Sequence, residues 1–277
     1  MPFLPLHDTA PRYLIARPWT TWALIVASAL AFLYQVSGGD ESFMRLVYGL
    51  GIIPAVLTGS AELSPQLVMA DPLATLLSYQ FLHGGFMHLA GNMLYLWVFG
   101  DNVEDAMGHA RFLLFYLVCG AAAALAQVAA DPGSVAPLIG ASGAVSGVLG
   151  AFLILHPKSR VLVPIVFIPL YLPAWLLLLF WFGFQFVAAF GGPAADNVGW
   201  WAHIGGFIAG AVLVFAFRYR AVPLFGLGDP PTGVVLRGGT VRRHRSRPDH
   251  HPDEQATTRR RNDPPGGSQG RRKGPWG

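Results

Sequence analysis

The sequence predicts an all-α polytopic membrane protein: a bundle of six transmembrane helices followed by a disordered basic C-terminal tail. Three observations carry this expectation. The chain has 277 residues, 53% hydrophobic and only 12% charged, where soluble domains carry about a quarter charged residues. Six stretches are apolar over the roughly 20 residues needed to cross a hydrocarbon core of about 30 Å. Charge is also segregated, with 6 basic and 10 acidic side chains in residues 1–217, a net of −4, against 13 and 5 in residues 218–277, a net of +8.

Residues 1–18 form a short leading segment, and Arg12 and Arg17 precede the first expected span at 19–38, "WTTWALIVASALAFLYQVSG". That stretch is too long, and too poor in cleavage-site residues, for a simple signal peptide. Residues 39–82 scatter Asp40, Glu41, Arg45, Glu62 and Asp71 among short apolar pieces, and read as a long loop with partly embedded amphipathic helices. The other spans are expected at 84–101, 111–130, 138–156, 173–190 and 198–217, giving a membrane domain over 19–217. Residues 161–172, "VLVPIVFIPLYL", are apolar but interrupted by Pro164 and Pro169. As a helix they would reach only about 18 Å, so they belong at the interface and not to a span.

Lys and Arg placement sets the orientation. Arg12 and Arg17, Arg111, Lys158 and Arg160, and the Arg-rich tail fall on one side of a six-span protein, with Arg45 the exception. That side is expected to be the cytoplasm of a bacterial plasma membrane, with both termini inside. The tail, 218–277, is too rich in Pro, Gly and Arg to bury a core. It could touch anionic lipid headgroups, and no nucleic-acid partner is expected. The single cysteine, Cys119, allows no internal disulfide and reads as a small apolar helix residue.

Polar residues inside the spans are the functional candidates, because the bilayer makes them expensive. The second span opens "HGGFMHLAGN", which places His88 and Asn92 four apart on one helix face. The fourth contains "GASGAVSG" with Ser142 about four residues in, and the sixth contains "WWAHIGGFIAG" with His203 about five residues in. With six spans these three helices run in the same direction, so the four side chains share one depth. Gly143 and Gly147 on the fourth span, and Gly206 and Gly210 on the sixth, allow the close helix approach that a Ser–His contact requires.

Those residue types fit acyl transfer. Serine is a weak nucleophile until a base takes its proton, and histidine can do so near neutral pH and then protonate the leaving amine. The tetrahedral oxyanion then needs donors, which Asn92, His88 and the backbone N–H near Ser142 could supply. Other readings of the same residues are less specific. Ser146 lies one turn deeper and reads as bonded within its own helix. A metal held by His83, His88 and His203 lacks an "HExxH" or Cys-pair signature, so none is expected, and His83 reads as a structural hydrogen-bonding residue. The soluble-hydrolase elbow "GxSxG" is absent. The charges of "DNVEDAMGHAR" read as a cap and ion-pair cluster at the inner end of the second span. A transporter or channel is disfavoured for want of an ion path.

Together, "HGGFMHLAGN", "GASG" and "AHIGGFIAG" over residues 72–217 resemble the rhomboid family of intramembrane serine proteases. The resemblance implies a six-helix bundle and a Ser-His dyad with no third acid, working without cofactor or metal on transmembrane segments of other proteins within membrane lipid. It casts Ser142 as nucleophile, His203 as general base, and His88 and Asn92 as oxyanion donors, with His83, Gly140, Gly143, Gly206 and Gly210 in support. The Trp-Arg pair found in the first loop of many rhomboids is missing near Ala74 and Thr75. The alternative is an inert rhomboid-like protein that binds or escorts membrane helices; such relatives are expected to lose Ser or His, and this chain keeps both.

Overall fold

Long apolar runs without β-branched clusters favour helix, and the computed structural model, which describes residues 4–165, 168–191 and 199–226, is mostly helical. Its elements run β1 (His7–Asp8), α1 (Trp19–Ser37), α2 (Gly39–Leu50), α3 (Pro54–Leu57), α4 (Thr75–Ser78), a 3-10 turn (Tyr79–Phe81), α5 (Phe86–Met107), α6 (His109–Ala130), α7 (Ser142–Leu155), β2 (Arg160–Ile165), β3 (Ile168–Pro173), α8 (Ala174–Ala189) and α9 (Trp200–Phe217). Among the described residues three helices, α1, α6 and α9, are long and apolar enough to cross a membrane. Helices α7 and α8 are apolar but shorter, at 14 and 16 residues. Outward-facing side chains include Leu30, Leu33, Leu114, Phe180, Val187 and Val212, all exposed. An apolar surface of that extent belongs in lipid.

Within the stretch expected at the interface, strands β2 and β3 pair antiparallel, with Arg160 opposite Pro173. The chain therefore leaves this element where it entered. Val161 and Val163 alternate inward and are buried, as the two-residue period of a strand requires, and β1 adds a third strand with His7 opposite Leu162.

Two helix boundaries differ from the sequence expectation. Helix α7 begins at Ser142 and not at 138, because Leu138 pairs with Ile52 in both directions, at 2.7 and 3.0 Å, and Gly140 sits at φ 126°, outside helical geometry. Helix α5 runs past 101 to Met107, because its polar last turns find partners. Glu104, fully buried, accepts the Thr20 and Thr21 N–H groups at 2.9 and 2.8 Å and the Thr21 hydroxyl at 2.7 Å. Asp105 accepts the Tyr13, Leu14 and Ile15 N–H groups, each at 2.7 Å. The N-terminus of α1, which has no side-chain cap of its own, is thus capped by the Glu104 carboxylate of another helix, while Asp105 holds the segment that leads into it. Arg12 pairs with Asp101 at 3.4 Å beside them.

Helix α7 is the central post, buried without a break from Gly143 to Phe152. Phe99, Phe112, Phe115, Tyr116, Trp181 and Phe207 pack in the same core. A Cβ on Gly206 would strike the Gly143 carbonyl, and one on Gly210 the Gly147 carbonyl. Residues 218–226, expected in the tail, return onto the bundle: Tyr219 N–H donates to the Ala106 carbonyl at 2.9 Å and Phe225 N–H to that of Ile154 at 2.7 Å. Residues 227–277 of the expected tail lie outside the described residues.

Gly210→Ala should lower stability by about 1–3 kcal/mol, because its methyl meets backbone that cannot move aside. Gly183→Ala, on α8 where nothing lies within 4 Å, is the matched control and should leave the melting temperature in detergent unchanged. Equal melting temperatures for both variants would reject the close-contact account.

Candidate active site

The polar candidates lie in the first two turns of three helices. Ser142 is the first residue of α7, His203 the fourth of α9, and His88 and Asn92 the third and seventh of α5. Gly143 faces Gly206 and Gly147 faces Gly210, so α7 and α9 run parallel. His88 meets Gly140 just before α7, and Ala106, near the end of α5, meets Tyr219 just past the end of α9. Helix α5 therefore shares that direction.

Ser142 is half-buried. Its backbone N–H belongs to the first turn of α7, where no intrahelical acceptor exists and the helix dipole is positive. Its carbonyl accepts the Ser146 hydroxyl at 2.6 Å, which engages Ser146 within its own helix. Gly140 joins Ser142 to α5. A Cβ there would lie 2.8 Å from His88 Cε1, 2.9 Å from His88 Nε2 and 3.7 Å from Ser142 Oγ, on a backbone at φ 126°. Only glycine leaves that space empty.

The neighbours of each ring fix its tautomer. Gly84 N–H donates to His88 Nδ1 at 3.3 Å, so the proton of the neutral ring sits on Nε2, beside Gly140 and Ser142. At His203 the assignment is reversed. Gln185 Nε2 donates to the Trp181 carbonyl at 3.3 Å, which turns Gln185 Oε1 toward His203 Nδ1 at 2.7 Å. An amide oxygen only accepts, so Nδ1 carries the proton and Nε2 the lone pair. The ring is buried beside Trp181 and Trp200, with centroids at 6.1 and 6.0 Å. No hydrogen bond joins Ser142 Oγ to His203 among the described residues.

Asn92 is 1% exposed, and neither its Oδ1 nor its Nδ2 has a partner among the described residues. His83 lies ahead of α5, and its N–H donates to Gln35 Oε1 of α1 at 3.0 Å. Its ring stands edge-on to that of His88 with centroids 5.3 Å apart. Burial, with His88 facing it, pushes the His83 imidazole down to about 4. Among the described residues no three His, Cys, Asp or Glu side chains gather as a metal ion would need.

Residues 71–220, more than half of the chain, match the family model of the Rhomboid domain. The chain belongs to the rhomboid family. It is similar to RHOMBOID-like protein 5 of Arabidopsis thaliana, 32% identical over 72% of this chain and 62% of that one. Rhomboid protease GluP of Bacillus subtilis is 35% identical over 52% of this chain and 26% of its own. The mitochondrial presenilin-associated rhomboid-like protein of Homo sapiens is 31% identical over 33% and 24%. The chain thus spans less than two thirds of the length of these rhomboid relatives.

Every residue of the constellation falls within the rhomboid match, and so does Gln185, which the sequence reading missed. Its signal was present: it is the one polar side chain between the tryptophans and alanines of "AWLLLLFWFGFQFVAA", an intramembrane polar residue of the kind that marks function.

Asn92 gives a stability prediction. Replacing a buried amide that has no partner among the described residues with an apolar side chain of the same branching removes a desolvation cost of about 1–3 kcal/mol. Asn92→Leu should therefore raise the melting temperature in detergent, and a lower one would mean that the amide has a structural partner.

Proposed function

We propose that this rhomboid protein is an intramembrane serine endopeptidase that cleaves transmembrane segments of other proteins. The observation that supports the reading is the placement, in the first two turns of three parallel close-packed helices, of a serine, a histidine with a free Nε2, a histidine with a protonated Nε2 and a buried amide with no partner among the described residues. In the proposed reaction Ser142 Oγ attacks the scissile carbonyl carbon and its proton passes to His203 Nε2. The oxyanion takes hydrogen bonds from His88 Nε2–H, Asn92 Nδ2–H and the Ser142 backbone N–H, donors worth on the order of 3–4 kcal/mol each. His203 then protonates the departing amine, and water, activated by the same ring, hydrolyses the acyl-enzyme.

The setting we infer is a bacterial plasma membrane crossed six times, with both termini in the cytoplasm and the site near the outer surface, where water can reach it. Lys158, Arg160 and Arg12 would then lie inside, and the basic tail would be free to meet anionic headgroups. The antiparallel pairing of β2 with β3, which sets Arg160 opposite Pro173, supports this count. A second reading, a rhomboid-like protein that holds membrane helices without cutting them, is favoured by the missing Ser142–His203 hydrogen bond. Catalytic bonds often close only when substrate binds, so reactivity decides between the two.

Purified protein treated with a fluorophosphonate should carry the adduct on Ser142 by mass spectrometry. Ser142→Ala and His203→Ala should each abolish cleavage of a model transmembrane substrate, and the double variant should be no worse, since the pair acts as a unit. Wild-type turnover in Ser142→Ala would reject the protease reading.

Orientation has its own test, in a Cys119→Ala background. A cysteine at Ser134 should react with an impermeant thiol reagent added outside intact cells, and cysteines at Ser159 and Ser246 only after permeabilisation. Outside labelling at both Ser134 and Ser246 would require an even number of crossings between them and overturn the six-span count.

A further inference from the structure

We propose that Gln185 of α8 is the positioning residue of the histidine base, a neutral counterpart of the carboxylate that orients histidine in a three-residue triad. The inference rests on the protease reading above. Gln185 is 2% exposed, and both ends of its amide are engaged: Nε2 donates to the Trp181 carbonyl at 3.3 Å, and Oε1 accepts from His203 Nδ1 at 2.7 Å. The first bond fixes which end of the amide faces the ring, and the second then fixes the ring itself. With its proton held on Nδ1, the imidazole presents a lone pair at Nε2, the nitrogen that must take the Ser142 proton.

Without an acceptor at this place the buried ring would be free to carry its proton on Nε2, where it could take none from serine. It could also swing about its Cβ–Cγ bond. The choice of an amide fits the surroundings. The His203 ring lies beside Trp181 and Trp200, and Phe207 packs against Trp181, so an ionised carboxylate at position 185 would be costly to desolvate. An amide supplies the same acceptor without the charge. It gives less stabilisation to the imidazolium that forms, so its contribution lies mainly in tautomer and orientation.

The test compares full-chain Gln185→Met and Gln185→Glu with wild type, Ser142→Ala and His203→Ala, measuring kcat, KM, the rate of fluorophosphonate labelling and the melting temperature. Methionine fills the space but accepts nothing useful, and is expected to lower kcat and the labelling rate about tenfold to a hundredfold with KM unchanged. Glutamic acid in its neutral form keeps a carbonyl for Nδ1–H and offers an O–H to the Trp181 carbonyl, so it should hold kcat within about threefold of wild type. A purely structural role predicts the opposite order, with methionine tolerated and glutamate harmful. Wild-type kcat in Gln185→Met, or a lower kcat in Gln185→Glu than in Gln185→Met, overturns the inference.

Should Gln185→Met fail to fold, Gln185→Asn takes its place. Its amide is one carbon too short to reach Nδ1, and undiminished turnover there overturns the inference equally. Wild-type turnover in His203→Ala would reject the dyad, and this inference with it. An inactive His203→Ala alongside a fully active Gln185→Met rejects the role of Gln185 alone.

Discussion

The arrangement depends on the direct backbone contact between α7 and α9. Lipid tails are as apolar as leucine, so no hydrophobic force drives two membrane helices together, and close packing has to supply the attraction. Here the packing is made by omission. Any side chain at Gly206 or Gly210 would land on a carbonyl of α7, and one at Gly150 would land on the Phe207 carbonyl of α9. The other face of α7 is treated in the same way: Gly143 and Gly147 receive Ala123 and Cys119 of α6, whose Cβ atoms lie 2.6 and 2.5 Å from where their own would be. Serine and histidine have short reach. Only helices this close can bring them to one site, and the same closeness buries most of α7 and gives the bundle its centre.

Much of this was legible in the sequence, and for a physical reason. Apolar runs, small-residue spacing and isolated polar residues are strong signals in a membrane chain, because each violation of apolarity needs a cause. Helices α1, α6 and α9 lie within a few residues of their expected spans, and the interfacial reading of 161–172 rested on its length and two prolines. What stayed hidden depended on partners distant in the chain. The start of α7 is set by the Ile52–Leu138 pairing, the end of α5 by N–H groups of residues 13–21, and the return of 218–226 by carbonyls of α5 and α7. No local pattern encodes these. Gln185 escaped for another reason: its meaning lies in the orientation of its amide, which only the Trp181 carbonyl and the His203 ring define.

The two ends of the bundle handle buried polar groups in opposite ways. At one end Glu104 and Asp105 are buried but partnered, Glu104 collecting N–H groups at the start of α1 and Asp105 those of residues 13–15 just ahead of it. Each carboxylate satisfies donors and is itself satisfied, which is how a buried charge becomes tolerable. At the other end Asn92 is buried, and neither of its polar atoms has a partner among the described residues. Evenly stabilised proteins do not keep such groups. A buried amide without a protein partner costs free energy that a bound acceptor can recover, and a developing oxyanion is the strongest acceptor the proposed reaction would create.

The two imidazoles carry the same logic to the level of single protons. His88 and His203 have the same intrinsic chemistry, and nothing in their sequence neighbourhoods says which should give a proton and which should take one. Their second nitrogens decide it. At His88 a backbone N–H from Gly84 occupies Nδ1 and drives the ring proton to Nε2; at His203 the Gln185 oxygen holds the proton on Nδ1 and leaves Nε2 bare. In the proposed reaction one ring would therefore serve as a donor and the other as a base. If both Nδ1 atoms faced acceptors, the oxyanion would lose the His88 donor. If both faced donors, Ser142 would have no base. Opposite settings of this kind would let two identical side chains serve two steps of the proposed reaction.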